Sequence, residues 1–173
     1  MPSCKRNILV VLAGPPASGK SQLASKLAHK CGHIIVSSDE VRKELYGDAP
    51  YQDDPYKVFH LAHELIDYRL RSGFDVVFDA TSCREQYRRS VLNNLFYPES
   101  VFKVCAVYSG SLQRCLLKKE ENQSVVSEHA IEKMYRNLQS NPPTLNEGFD
   151  LILSMDALST LIDQGVYPNC YFL

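Results

Sequence analysis

The residues most clearly able to do chemistry form a glycine-rich loop. Eight consecutive residues match the pattern G-x-x-x-x-G-K-S, namely Gly14, Pro15, Pro16, Ala17, Ser18, Gly19, Lys20 and Ser21. Glycines let the backbone curl, so that successive N–H groups point at phosphate oxygens. Lys20 can reach the outer phosphates of a nucleoside triphosphate, and the Ser21 hydroxyl can bind Mg²⁺. Because an apolar segment precedes the loop and a helical pattern follows it, we expect a site for ATP and Mg²⁺ rather than an ordinary glycine turn.

A carboxylate and a guanidinium follow the second apolar segment. Ser37 begins a capping pattern, so Asp39 and Arg42 fall in the first turns of a helix and share one face. The carboxyl ends of parallel strands line the ligand crevice, which predicts that Asp39 faces the phosphates. Asp39 could then accept the proton of an attacking hydroxyl, and Arg42 could bind an anionic group of the acceptor. An exposed surface ion pair is the alternative interpretation.

Further charged residues follow the third apolar segment. That segment ends in Asp79, which could hold Mg²⁺ or bind the acceptor hydroxyl; an Asp that caps the next turn is the alternative. Downstream, Arg84, Arg88 and Arg89 cluster on one short helix. Since Arg84 and Arg88 are four residues apart, we expect them to share a face and form a basic patch toward the acceptor, or else an ordinary solvated face. His60 and His63 are expected to be a helix-surface pair rather than metal ligands.

The arrangement of apolar segments predicts the fold that positions these residues. Five short apolar runs, rich in Val and Ile, alternate with helical patterns; the runs are 8–13, 34–36, 76–78, 101–107 and 151–153. Strands alternating with helices indicate an α/β fold with a mostly parallel five-stranded sheet, here the P-loop NTPase fold as a single domain over residues 1–173. We expect helix starts capped by Ser37, Asp54 and Ser82. The polar segment 118–127 is predicted to be an exposed loop that acts as a lid.

Composition narrows the class of protein. The 173 residues are 45% hydrophobic and carry a net charge of −1, which argues against disorder and against a strongly basic, non-specific nucleic-acid binder. No apolar run approaches the length of a membrane span. The six cysteines form no C-x-x-C pair, so we expect buried, reduced thiols in a cytoplasmic protein. The chain also lacks the N-K-x-D motif of a guanine-reading switch, and its size suits a small kinase.

Taken together, the three motifs resemble the kinase domain of polynucleotide 5′-hydroxyl kinases and the wider set of small AAA-type ATP-dependent kinases. The motifs are G-x-x-x-x-G-K-S, then S-S-D-x-x-R, then D-A-T, and they come in the family's order over roughly residues 7–155. The resemblance implies that Asp39 is the general base, that Arg42 contacts the acceptor phosphate, and that Asp79 and Thr81 border the acceptor site.

The lid departs from the family pattern. Arginines expected there are replaced by lysines and glutamates, so Lys118, Lys119 or the more distant Arg114 would have to stabilise the transferring phosphoryl group. The favoured hypothesis is therefore a kinase acting on the 5′-hydroxyl end of a polynucleotide. A kinase of a nucleoside, sugar or antibiotic, and a non-catalytic ATP-binding module, stay open as alternatives.

Overall fold

The computed structural model describes residues 6–47 and 54–167. Within these residues, five strands alternate with seven α-helices. The strands are β1 Asn7–Ala13, β2 Ile34–Ser37, β3 Val76–Asp79, β4 Val101–Val107 and β5 Leu151–Ser154. The helices are α1 Lys20–Cys31, α2 Ser38–Tyr46, α3 Pro55–Arg71, α4 Glu85–Asn93, α5 Leu112–Glu121, α6 Glu128–Ser140 and α7 Met155–Asp163.

The five strands form one parallel sheet in the order β2-β3-β1-β4-β5. The predicted mostly parallel sheet is confirmed, and every strand pair in it is parallel. The central strand β1 is fully buried from Ile8 to Ala13, because helices cover both faces of the sheet. Right-handed crossovers in this strand order place α1 and α7, which pack together, on one face and the other crossover helices on the opposite face.

The strand order creates a crevice at the carboxyl edge of the sheet. The chain leaves β1 toward β2 through α1, and leaves β3 toward β4 through α4, so it departs in opposite directions from two neighbouring strands. A switch point of this kind is where open α/β sheets bind ligands. The phosphate loop and Asp79 follow or end these two strands, and both therefore lie at this crevice.

Two of the three predicted helix caps are confirmed. The Ser37 hydroxyl accepts a hydrogen bond from the Glu40 N–H at 3.4 Å, and the Asp54 carboxylate accepts one from the Tyr56 N–H at 3.0 Å. The third prediction, a cap at Ser82, is wrong. Helix α4 has Arg84 at its cap position, and Ser82 instead adopts a positive φ of 43° in the turn before it.

The polar segment after residue 118 is only partly a loop. Residues 118–121 belong to α5, and the loop between α5 and α6 is confined to residues 122–127. Lysine and glutamate are good helix formers, so the helix continues where the apolar periodicity has already stopped.

The thiols of Cys83, Cys105 and Cys115 are buried and free, and Cys31 is half-buried. Burial raises the pKa of Cys83 to about 11 and that of Cys105 to about 12, so both stay protonated and act as small apolar side chains. The other two cysteines, Cys4 and Cys170, lie outside the described residues. Within residues 6–47 and 54–167, no helix is both long and apolar enough to cross a bilayer.

Candidate active site

The phosphate loop runs from the end of β1 to the start of α1 and is fixed at its entrance. The Gly14 N–H donates a hydrogen bond to the Thr81 carbonyl at 2.9 Å, which ties the loop to the turn after β3. On the other side, the Tyr108 N–H donates to the Ala13 carbonyl at 2.8 Å. The loop is thus anchored to the ends of both strands that flank β1.

Two glycines in the loop are required by its geometry. A Cβ atom at Gly14 would lie 2.6 Å from the Ser18 Oγ and 3.0 Å from the Tyr108 Cβ, so any side chain there would force its neighbours to shift. Gly19 has a φ of 90°, in the left-handed region that disfavours other residues, immediately before the first residue of α1. This turn aims the free N–H groups of the first turn of α1 into the loop, as anion binding requires.

Lys20 lies inside the loop. Its ammonium donates hydrogen bonds to the Pro15 carbonyl at 2.6 Å and to the Ser18 Oγ at 3.4 Å. The residue is 8% exposed. Burial lowers the pKa of Lys20, and the nearby carboxylates of Asp79 and, more weakly, Asp39 oppose that decrease. A buried cation bonded mainly to loop oxygens is placed to bind an anionic ligand.

Ser21 and Asp79 meet directly. The Ser21 hydroxyl donates a hydrogen bond to the Asp79 Oδ2 at 2.8 Å, although the two residues are 58 positions apart. One hydroxyl and one carboxylate are hard oxygen ligands, and Mg²⁺ bound beside phosphates needs only one or two carboxylates from the protein. The pair therefore fits Mg²⁺ held jointly with a nucleotide. Elsewhere in the described part of the chain, no group of three or more His, Cys, Asp or Glu could hold a metal ion.

Asp39 lies beside this pair because of the strand register. Ser37, the last residue of β2, pairs with Asp79, the last residue of β3, and Asp39 follows two residues later in the first turn of α2. Its side chain is 91% exposed, and its Oδ1 accepts a hydrogen bond from the Arg42 Nη1 at 2.8 Å. An exposed carboxylate oriented by a guanidinium can accept a proton from a bound hydroxyl.

Of the three cations proposed for the lid, only Lys118 lines the phosphate cavity. Its ammonium donates to the Gln22 Oε1 at 3.0 Å and would lie 3.3 Å from a Cβ at Gly19. Arg114 is exposed in the first turn of α5, and Lys119 does not line the cavity either. The cavity measures about 260 Å³, and its remaining lining residues include three that the sequence did not suggest, Gln22, Asn122 and Ser124. Their positions carried the signal: Gln22 directly follows the motif, and Asn122 and Ser124 lie within the predicted lid segment 118–127.

The predicted basic patch toward the acceptor is wrong for Arg88. The Arg88 side chain is 0% exposed and binds both carboxylate oxygens of Glu147, at 2.7 and 2.8 Å. It also donates to the carbonyls of Ser82 and Asn141, at 3.1 and 2.8 Å. With all of these contacts satisfied in the interior, Arg88 supports the turn after β3 and cannot contact an acceptor.

The two other predicted acceptor residues have different positions. Arg84 is half-buried at the start of α4 and lines a surface groove shared with Arg89, Asn137 and Asn141. The Thr81 backbone carbonyl accepts the Gly14 N–H, and it also accepts the thiol of Cys83 at 3.2 Å. Thr81 is therefore part of the support of the phosphate loop.

The expected surface pair of histidines is half wrong. His60 is exposed and lies 3.5 Å from Glu64, whereas His63 is buried between helices. Burial, with a smaller contribution from His60, lowers the pKa of His63 to about 4. A single sequence shows the spacing of the two rings but not which of them faces α4.

Comparison with known proteins agrees with this architecture. A family model described as AAA domain matches residues 9–141. The tRNA dimethylallyltransferase of Rhodopseudomonas palustris (strain BisB18) is 38% identical over 69 residues, which cover 36% of this chain and 21% of that protein. The chain thus spans about a fifth of the length of this curated relative.

Two solved structures share the fold. A chain of the Pnkp1/Rnl/Hen1 RNA repair complex superposes with a TM-score of 0.69 at 21% identity, covering 84% of this chain and 47% of that one. A gluconokinase from Sinorhizobium meliloti 1021 superposes with a TM-score of 0.61 at 17% identity, covering 97% of each chain. The family model matches well over half of this chain, so the chain belongs to the AAA domain family and has the P-loop kinase-like fold.

Proposed function

We propose that this chain is an ATP-dependent kinase that transfers the γ-phosphate to the 5′-hydroxyl end of a polynucleotide. The observation on which the proposal depends is the hydrogen bond between Ser21 and Asp79, with the exposed Asp39 on the adjoining strand end. A nucleotide site and an unburied carboxylate are thereby brought to the same crevice. That arrangement is what direct transfer from a triphosphate to a hydroxyl requires.

The reaction follows from these positions. Asp39 accepts the proton of the acceptor hydroxyl while the hydroxyl oxygen bonds to the γ-phosphorus. The bond from that phosphorus to the bridging oxygen breaks, and ADP leaves with the electron pair. Lys20 and Lys118 are cations on the phosphate side and offset the charge that spreads over the phosphoryl oxygens. Bound Mg²⁺ would add charge neutralisation, and Ser21 and Asp79 are the residues that would hold it.

Arg42 supports a polynucleotide as acceptor. Its guanidinium lies beside the general base, with one nitrogen on Asp39 and the side chain about one-third exposed. A planar guanidinium binds phosphate in a bidentate manner, which a neutral hydroxyl compound does not exploit. The nucleotide at a 5′ end offers a 3′-phosphate within one nucleotide of the attacking oxygen, so the anion and the hydroxyl can be recognised together.

A small-molecule acceptor is the second candidate. The observation that favours it is the superposition with the gluconokinase, which covers 97% of each chain. Both candidates share the phosphate loop and Asp39, and they differ in what Arg42 binds.

The first experiment tests the chemistry. Transfer of labelled γ-phosphate is measured for 5′-hydroxyl DNA, 5′-hydroxyl RNA, nucleosides and sugars, using the wild type, Asp39→Asn and the matched control Glu40→Gln. Asp39→Asn should lose about 10²- to 10⁴-fold in kcat with little change in ATP affinity. Glu40→Gln should behave as the wild type, because the bond that Glu40 makes to the Ser37 hydroxyl comes from its backbone N–H, which the substitution keeps. Equal losses in the two variants would contradict the role given to Asp39.

The second experiment separates the acceptors. The ratio of kcat/KM for a nucleoside 3′-phosphate to that for the plain nucleoside is measured in the wild type and in Arg42→Lys. The wild type should prefer the phosphorylated compound, and the variant should lose most of that preference, because a charge-assisted contact contributes about 1.5–3 kcal/mol. A wild-type ratio near one would favour the small-molecule kinase.

A further inference from the structure

A second cavity lies between α3 and α4. It measures about 320 Å³, is separate from the phosphate cavity, and is lined mainly by rings. Its ring-bearing lining residues are Tyr56, Phe59, His60, His63, Phe78 and Tyr87. None of the residues given a role in phosphoryl transfer above lines this cavity.

Two pairs of rings in the cavity are parallel, whereas His63 is tilted by 46° to Phe59 and by 73° to Phe78. Phe59 and Tyr87 stack across the two helices, with centroids 6.2 Å apart and planes 2° from parallel. Tyr56 and His60 stack on the α3 side at 6.1 Å and 3°. Tyr56 and Tyr87 are 78% and 44% exposed, so a ligand can reach both rings from solvent. Parallel aromatic planes that a ligand can reach favour a flat ring.

His63 supplies a directional polar group. The Asn94 Nδ2 lies 3.4 Å from the His63 Nδ1 and donates to it when Nδ1 carries no proton. Since burial lowers the pKa of His63 to about 4, the ring is neutral near pH 7 and its proton lies on Nε2. The cavity therefore combines stacking surfaces with one N–H donor suited to a ring nitrogen or carbonyl oxygen.

The cavity adjoins the acceptor side of the crevice. Two of its lining residues, Phe78 and Ser82, flank the β3 end, where Phe78 immediately precedes Asp79 and Ser82 follows it by three residues. Helix α3 ends four residues before β3 begins, so its first turns lie toward the carboxyl edge of the sheet, and residues from those turns form the opposite wall. A group bound in this cavity is therefore close to the carboxylates of the crevice.

We propose that this cavity binds the nucleobase of the acceptor nucleotide. A polyhydroxylated sugar would need a polar partner for each hydroxyl it buries. The polar groups of the lining lie among ring faces that offer no such partner; they are Ser82, Ser90, Asn94 and the polar atoms of the two tyrosines and two histidines. A nucleobase instead presents two apolar faces and a few edge acceptors, which the parallel rings and His63 match. The inference rests on the proposed function for the identity of the acceptor, but its test needs no phosphoryl transfer.

The test exploits the absence of tryptophan from the sequence. Tyr87→Trp places a single tryptophan, which can be excited without exciting the tyrosines, in the cavity. The matched control Tyr68→Trp places one at an exposed tyrosine of α3 that does not line the cavity. Both proteins are titrated with adenosine 3′-phosphate and with ribose 5-phosphate, after the phosphate loop has been saturated with a non-hydrolysable ATP analogue.

Saturable quenching of the Tyr87→Trp protein by adenosine 3′-phosphate alone, without a response in the control, is the expected result. A second set of variants, Tyr87→Leu and Tyr56→Leu, should weaken adenosine 3′-phosphate binding about 5- to 150-fold, the effect of losing one stacked base contact. Their affinity for ATP should not change. Because both tyrosines are partly exposed, these variants are expected to fold.

Absence of quenching, or equal responses to the nucleotide and to ribose 5-phosphate, would overturn the inference. Quenching together with a negative transfer assay would support the base pocket and count against the kinase proposal. Phosphoryl transfer to oligonucleotides, with an unchanged affinity for adenosine 3′-phosphate in both leucine variants, would support the kinase proposal and overturn the base pocket.

Discussion

Replacing Arg88 by alanine should destabilise the protein more than replacing any other arginine of α4. Arg88 and Glu147 are 0% and 1% exposed, and they share two hydrogen bonds of 2.7 and 2.8 Å. Removing the guanidinium leaves a buried carboxylate without its partner, which costs about 3–5 kcal/mol. It also removes the donors to the carbonyls of Ser82 and Asn141. For a domain of this size, that loss corresponds to a melting temperature lower by about 6–20 °C.

The matched control is Arg89→Ala, one residue further along α4. Arg89 pairs with Glu85 at 2.6 Å on the partly exposed side of the helix, so its loss should cost no more than about 1 kcal/mol. Both variants are followed by thermal and urea unfolding with circular dichroism. The double variant Arg88→Met/Glu147→Leu should recover much of the stability, because it leaves no unpaired charge. Similar losses in Arg88→Ala and Arg89→Ala would refute the buried ion pair.

Three further predictions concern other parts of the molecule. As the pH falls from 6.5 to about 4, His63 should lower the free energy of unfolding by about 3 kcal/mol, because its ring binds a proton in the unfolded chain but stays neutral in the folded one. Urea titrations should show that the free energy of unfolding depends less on pH in His63→Phe than in the wild type, and as strongly in His60→Gln. Lys118→Met should lower kcat about 10- to 150-fold through the loss of a charge-assisted contact, and Lys119→Met should not, which steady-state assays would decide. In Gly14→Ala, a methyl group 2.6 Å from a loop hydroxyl should introduce about 1–3 kcal/mol of strain, lowering both melting temperature and ATP affinity in calorimetry.

The sheet and the phosphate loop were predictable because their signals are local. Each strand is a contiguous apolar run, and each run predicted from the sequence begins or ends within one residue of the observed strand. The loop depends on glycines at fixed spacing. That Ser21 and Asp79 lie close together was also predictable, because one follows β1 and the other ends β3, and the carboxyl ends of parallel strands lie at one edge of the sheet.

The roles of Arg88 and His63 could not be predicted, since they depend on distant partners. Four-residue spacing shows that Arg84 and Arg88 share a face of α4 but not whether that face is buried. The partner of Arg88 is 59 residues away, in a short turn after α6, and nothing in the sequence links the two. Likewise, His63 is buried against Phe78 of β3 and beside Asn94, whereas His60, one turn earlier, is exposed.

The position of β1 at the centre of the sheet has a consequence for how the chain is made. From Ile8 to Ala13 this strand is apolar and fully buried, yet its neighbours β3 and β4 end about 66 and 94 residues later in the sequence. At translation rates of about 5–20 residues per second, β1 leaves the ribosome several seconds before either neighbour exists. During that interval its unpaired edges are open to aggregation, so productive folding should depend on chaperones that cover emerging apolar segments, and overexpression should favour inclusion bodies.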